Sequence, residues 1–272
     1  MRDEKYSKTV IFHHCTPTFQ KQANAAFLMC AYLVVCERFS ADEAWSLFER
    51  FSTTFVPFCD SGETPFKDFE LTILDTLRGL ERAGELGWYD FKSFDHKEYE
   101  KNHKLENGDM NWVIPNQILA LSSPSDKGDG ITAKDFVSKF KRLEVSTVIR
   151  LNESLYNERL FFESGIKVMN QEYLDGSCPD DSVISNFIKT CYAELGMGNR
   201  IAVHCRAGLG RTGTLIGCYI MHKYGFKAES LIGWLRLARP GSVIGIQQTF
   251  LIDAERRIKS FRIAEPVPKS VV

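Results

Sequence analysis

The chain has 272 residues, with 34 basic against 35 acidic side chains and a net charge of -1. At 44% hydrophobic and 25% charged it has the make-up of a globular protein of one large or two small domains, not of a disordered or collagenous chain. The balanced charge removes the strongly basic surface that a nucleic-acid partner needs. The longest apolar run, Ala25–Cys36, is too short to cross a bilayer.

The charged start, Met1-Arg-Asp-Glu-Lys-Tyr6, leads into no signal-peptide core. Ala23–Cys36 is apolar nearly all round, which predicts a buried helix. Ser40-Ala-Asp-Glu43 is a capping-box pattern and opens a second helix through Phe51. Leu71–Leu80 predicts a third helix, with Gly84 and Gly87 marking its exit. Asp95–Asp109 is dense in charge and holds the turn dipeptide Asn107-Gly108, so it reads as a linker.

Strands and helices then alternate, the pattern of α/β layering. Trp112–Ile114 and Ile118–Leu121 read as short strands, followed by a loop from Ser122 to Gly130. Ala133–Leu143 predicts a helix and Ser146–Leu151 a strand, with a further strand within Ile166–Leu174. Asp180–Leu195 predicts a helix whose first turn carries acidic residues that suit the helix dipole. Ile201–Val203 is a buried strand, and helices follow over Thr212–Tyr224, Ala228–Leu237 and Ile246–Ser260. None of the eight cysteines forms a Cys-x-x-Cys pair, which argues against a zinc ribbon or a thioredoxin motif and for a reducing compartment, cytosol or nucleus.

The strongest chemical signal is Val203-His-Cys-Arg-Ala-Gly-Leu-Gly-Arg-Thr-Gly-Thr214. A strand enters, a loop with Gly208 and Gly210 turns, and a helix leaves. Successive backbone N–H groups and the helix N-terminus then form an anion cradle over Arg206, Ala207, Gly208, Leu209, Gly210 and Arg211. Arg211 has the planar fork to grip two anion oxygens. Cys205 sits at the loop mouth, where the same dipoles favour a thiolate, and a thiolate beside a phosphate cradle is a nucleophile for phosphorus. Thr212 is placed to hydrogen-bond the sulfur and ease its departure. Upstream, Asp175 lies in the turn Tyr173-Leu-Asp-Gly-Ser-Cys-Pro179, where a carboxylic acid can protonate a leaving group. Downstream, Gln247 or Gln248 offers an amide to orient a water.

These residues resemble the H-C-x5-R-[ST] signature of the cysteine-dependent protein tyrosine phosphatases. Over nearly the whole chain the sequence is similar to the cell-division-cycle-fourteen family of dual-specificity phosphatases. The likeness rests on His204–Thr214, Lys223-Tyr224, Trp234, Arg239-Pro-Gly-Ser-Val-Ile-Gly245, Gln247–Leu251, Lys21–Ala25, Leu71–Asp75, Glu106–Asp109 with Asn111-Trp112, and Asp175-Gly-Ser177. The resemblance implies an α/β fold, a mixed sheet flanked by helices, of two tandem dual-specificity-phosphatase-like domains, the first degenerate. Residues 1–95 would be non-catalytic, 96–110 a charged linker, and 111–272 catalytic. It implies Cys205, Arg211, Asp175, Thr212, Gln247 and Gln248 as the catalytic set, with no metal and no cofactor.

The partners it implies are proteins phosphorylated on serine or threonine before proline, or on tyrosine, in opposition to cyclin-dependent kinases. A basic substrate residue would sit in an acidic groove, for which the linker offers Glu98, Glu100, Glu106 and Asp109; Lys101, His103 and Lys104 dilute that charge. A decayed internal repeat supports two domains: His14-Cys-Thr-Pro-Thr-Phe-Gln-Lys21 has the spacing of His204–Arg211 but lacks both glycines and the arginine, so Cys15 is not expected to be catalytic. The rival functions are a phosphoinositide phosphatase, an RNA triphosphatase, and a phosphopeptide-binding pseudophosphatase. Leu209 in the loop, the neutral composition, and the intact Cys, Arg and Asp argue against them in turn.

Overall fold

Five strands form one mixed sheet in the order β1-β2-β5-β3-β4, in a computed structural model that describes residues 12–62, 68–126 and 131–263. The charged start Met1–Tyr6 and the end of the loop at Gly130 lie outside those residues. β1 (Met110–Ile114) runs antiparallel to β2 (Ile118–Leu121). β2, β5 (Arg200–His204), β3 (Val145–Arg150) and β4 (Lys167–Asn170) are mutually parallel.

The pleat sends alternate residues to opposite faces. Ile118, Ala120, Ile201 and Val203 join one core with α7 (Asp181–Gly196), α8 (Gly210–Tyr224), α9 (Ala228–Ala238) and α10 (Gln247–Lys259). Leu119, Leu121, Val148 and Ala202 join a second core with α5 (Ala133–Arg142) and α6 (Arg159–Glu163), through Phe136, Phe140 and Phe161. β5 lies at the middle of the sheet, buried on both faces. Its C-terminal end is where the phosphate-loop motif begins.

The N-terminal part is helical among the described residues. α1 (Phe19–Cys36) and α2 (Ala41–Ser46) pack with α3 (Ile73–Glu85) around Ala23, Ala26, Cys30, Ala44 and Leu77. α1 is not buried all round as its composition suggests. Its fully buried residues are Ala23, Ala26, Cys30 and Val34, one helical stripe, while Leu28 is 56% and Tyr32 50% exposed. Apolar composition predicted burial all round, but beyond that stripe Phe27, Ala31 and Val35 are only partly covered, and Leu28 and Tyr32 face outward.

The Ser40–Glu43 capping box forms as expected. α2 nevertheless stops at Ser46, whose hydroxyl donates to the Glu43 carbonyl at 2.7 Å, and a 3-10 turn over Glu49–Thr54 replaces the rest. α3 starts at a Thr72–Asp75 capping box and runs through Gly84. The chain reverses at Gly87, where φ is +72°. Within the charged segment, α4 (His96–His103) is capped by Asp95, which accepts from the amides of Lys97 and Glu98 at 3.0 Å each.

α3 crosses α9 at two glycines. A Cβ at Gly79 would strike the Ser230 carbonyl, and one at Gly233 would lie 2.6 Å from Thr76 Cα. The backbones therefore touch, and the N-terminal helices sit directly on the sheet-bearing part. No described helix is long and apolar enough to cross a membrane.

Candidate active site

The loop after β5 is held from outside. Leu151 N donates to His204 O at 2.9 Å and Ser123 N to Arg206 O at 2.9 Å. Arg239, fully buried, donates from Nη2 to Ala207 O at 2.9 Å and from Nε to Gly208 O at 2.8 Å. Across a planar trans peptide the N–H points opposite to the C=O. Carbonyls 206 to 208 turned outward therefore turn the amides of Ala207, Gly208 and Leu209 inward, over Cys205. Gly208 has φ +68°, and a Cβ there would collide with the Leu121 carbonyl of β2, so no other residue fits. Cys205 is only 3% exposed, at the floor of this cradle.

Arg211 stands in the first turn of α8 and is itself buried. Its Nη1 donates to Leu151 O at 3.1 Å and Tyr173 O at 2.9 Å. Tyr173 returns a bond from its hydroxyl to Arg211 O at 3.1 Å. Asp175 then lies with Oδ1 3.0 Å from Arg211 Nε, while its side chain stays mostly exposed. Gly176, at φ +70°, makes the turn that aims it. The third loop arrives with Gln247, whose Nε2 donates to Ser177 O at 3.1 Å. A Cβ on Gly210 would lie 2.9 Å from Gln247 Oε1, so this glutamine rests against the end of the cradle. The structure thus brings Cys205, Arg211, Asp175 and Gln247 together.

His204, ahead of the cysteine, is fully buried, and that burial pushes its imidazole down to about 4. It is therefore neutral near pH 7. Nδ1 donates to Cys205 O at 3.0 Å, and Nε2 accepts from the Tyr156 hydroxyl at 2.9 Å. Burial pushes the Tyr156 phenol up, so it keeps the proton that it donates. His204 serves as a strut for the loop, not as a counter-charge.

Residues 1–83 match the family model described as the N-terminal half of dual specificity protein phosphatases, and residues 107–267 match the DSP-PTPase phosphatase domain of Swiss Army Knife proteins. The chain belongs to the dual-specificity protein phosphatase family. It is homologous to the Cdc14 phosphatases. Dual specificity protein phosphatase CDC14A of Mus musculus is 38% identical over 262 residues, 94% of this chain and 43% of that protein. Tyrosine-protein phosphatase cdc-14 of Caenorhabditis elegans is 40% identical over 266 residues, 93% and 37% respectively. Tyrosine-protein phosphatase CDC14 of Saccharomyces cerevisiae is 38% identical over 258 residues, 91% and 46%. The chain thus spans about half or less of the length of these relatives. Among solved structures, kinase associated phosphatase is similar with a TM-score of 0.51 at 16% identity, over 57% of this chain and 98% of that one, a likeness of fold.

Other expected site residues of this phosphatase-family chain are placed differently. Asp109 does not offer a free carboxylate to a groove. Its oxygens accept from Arg239 Nη1 at 3.0 Å and Nη2 at 2.8 Å, and its side chain is only 17% exposed. A buried guanidinium must be matched by a buried anion, and Asp109 is that anion. Asn111 Oδ1 adds a bond from Nη1 at 2.8 Å.

Glu98, Glu100 and Glu106 are exposed on α4 and the turn after it. Of the three, Glu98 lines a cavity of about 840 Å³ with Trp88, Tyr99, Trp112 and Trp234, and that cavity does not include the phosphate loop. Thr212 Oγ1 is buried without a hydrogen-bond partner among the described residues, so its expected bond to the sulfur is not made in this state. Gln248 has both ends of its amide occupied. Oε1 accepts from Arg236 at 2.6 Å, and Nε2 donates to Asp60 at 3.2 Å and Gly245 O at 3.1 Å. Gln247 is bonded at both ends as well, its Oε1 accepting from Ile244 N at 3.3 Å, but it is the glutamine that lies against the cradle at Gly210. Arg206 and Ala207 form an exposed rim, while Leu209 is half-buried.

The residues that sequence reasoning missed are Tyr156, Arg239, Asn111 and Asp60. Arg239 and Asn111 stand among the residues that carry the family likeness, but no role was read for them, and nothing in the sequence pointed to Tyr156 or Asp60.

Proposed function

We propose that this chain is a metal-independent protein phosphatase acting on phosphoserine and phosphothreonine followed by proline, and on phosphotyrosine, through a cysteinyl-phosphate. The observation that carries the reading is the meeting of Arg211 and Asp175, 3.0 Å apart, beside the Cys205 loop, whose outward carbonyls turn the amides of Ala207 to Leu209 inward. In the first step the Cys205 thiolate attacks phosphorus, the S–P bond forms and the P–O bond to the substrate breaks. Asp175 gives its proton to the departing oxygen. The amides of Ala207 to Leu209 and the Arg211 fork hold the spreading negative charge. In the second step a water resting on Gln247 attacks phosphorus, Asp175 takes its proton, and the sulfur leaves.

The cradle supplies the charge stabilisation, so turnover is expected with chelator present. Glu98, Glu100 and Glu106 would favour a basic residue beyond the proline. The favour should be modest, because Asp109 is neutralised by Arg239 and Lys101 and Lys104 stand beside the glutamates. Eight free cysteines suit residence in the cytosol or nucleus, where such an enzyme would oppose proline-directed kinases during cell division.

The test is hydrolysis, with chelator, of two phosphoserine-proline peptides that carry Lys or Ala two residues after the proline, with Cys205→Ser as the blank. Cys205-dependent turnover with a modest gain from Lys supports the reading. Turnover on aryl phosphate but on neither peptide would move the substrate to another phosphate ester.

A further inference from the structure

The loop that brings Gln247 to the cradle is strained and held from two sides. Gly241, Val243 and Gly245 all have left-handed backbones, with φ of +87°, +63° and +58°. For Val243, which is β-branched, that conformation is costly and persists only where the surroundings enforce it. One restraint comes from α9. Arg236 donates from Nε to Ser242 O at 3.1 Å and from Nη2 to Val243 O at 3.0 Å, and it also grips Gln248.

The other restraint comes from far away in the chain, in the segment just before α3. Asp60 Oδ2 accepts from Gly245 N at 2.6 Å and from Gln248 Nε2 at 3.2 Å. Ser61 Oγ donates to Gly241 O at 2.9 Å. The carboxylate also sits at the N-terminus of the 13-residue helix α10, where a negative charge is favoured. Gln248 is thus clamped between Arg236 and Asp60. The residue before it in the chain is Gln247, which reaches the cradle and the Asp175 loop.

We propose that Asp60 is a positioning residue for hydrolysis of the phosphoenzyme: the N-terminal part of the chain, through this carboxylate at the start of α10, sets the Gln247 loop at the register that the second step needs. The proposal rests on the phosphatase reading above. Gln247 is not needed while Cys205 attacks and Asp175 protonates the leaving oxygen. It is needed when water attacks phosphorus, the S–P bond breaks and Asp175 accepts the proton. Asp60 should therefore govern the second step and leave the first nearly unchanged.

Stopped-flow hydrolysis of an aryl phosphate separates the two. Release of the aryl alcohol reports the first step as a burst, and the steady state reports the second. For Asp60→Ala the burst should keep its rate within about twofold while steady-state kcat falls about 10- to 100-fold, up to the cost of misplacing a catalytic group by about 1 Å. Asp60→Asn, which keeps an acceptor oxygen without the charge, should recover part of kcat. Burst and steady state falling together in both variants would overturn the proposal, since that is what general disruption does. Unchanged kcat in Asp60→Ala would overturn it as well. A wild-type chain with no Cys205-dependent burst or turnover would overturn the phosphatase reading, and this proposal with it.

Discussion

Asp175 and Arg239 show how much at the residue scale depends on partners remote in sequence. Asp175 is poised 3.0 Å from Arg211 Nε on a turn that leaves it open to a substrate. Asp175→Asn should slow a phosphoserine peptide by about 10²–10⁴, the range of general acid catalysis, and an activated aryl phosphate much less, because that leaving group needs little protonation. Steady-state kcat on the two substrates checks this; equal losses would remove Asp175 from the acid role. Arg239→Ala would strip the outer hold from Ala207 and Gly208 and leave Asp109 buried without its cation. It should cost about 3–5 kcal/mol of stability, the measured scale for breaking a buried ion pair from one side. A urea melt of the variant reads that directly.

The contrast explains what could be read in advance. Cys205, Arg211 and the two glycines share one short loop, so spacing alone specifies their geometry. Asp109, Asn111 and Asp60 act on loops more than a hundred residues away in the chain, and no local pattern encodes that pairing. Asp109 was accordingly expected in an open groove.

Elements were legible in proportion to how local their causes are. The strand and helix alternation from Trp112 onward is visible in the sequence because each strand is a short apolar run bounded by turns. The capping box at Ser40 was readable, as was the reversal near Gly87. The burial of α1 was not. Its composition is apolar on all sides, while its stripe of contact is set by where α2 and α3 lie. The crossing of α3 and α9 was hidden too, since Gly79 reads as an ordinary helix-weakening glycine. Gly79→Ala should destabilise the protein by about 1–3 kcal/mol through overpacking, although alanine is the better helix former. Gly87→Ala meets no neighbour and should cost only about 1 kcal/mol, for its left-handed φ. Urea melts of both variants test the difference, and equal costs would place the tight contact elsewhere.

For the whole molecule, the sheet between Met110 and His204 carries the site, and the N-terminal helices brace it through α9 and Asp60. A buried neutral histidine at the centre links this stability to pH. His204 falls to about 4 in the fold from an ordinary value of 6.5. Between those values the unfolded chain binds the proton and the folded one does not, so protonation favours unfolding. Stability should therefore be lost as pH falls from about 6.5 toward 4, by about 1.4 kcal/mol per pH unit from this group. Urea titrations across that window measure the slope. In Tyr156→Phe the Nε2 acceptor is left unpaired, which should cost about 1–3 kcal/mol at neutral pH.

The most direct measurement is rapid acid quench of the chain mixed with a phosphoserine-proline peptide in chelator, followed by mass analysis of the peptide that contains Cys205. A transient phosphoryl adduct on Cys205 is predicted, decaying as phosphate is released and absent from Cys205→Ser. Turnover without that adduct, or turnover that survives Cys205→Ser, would contradict the mechanism outright.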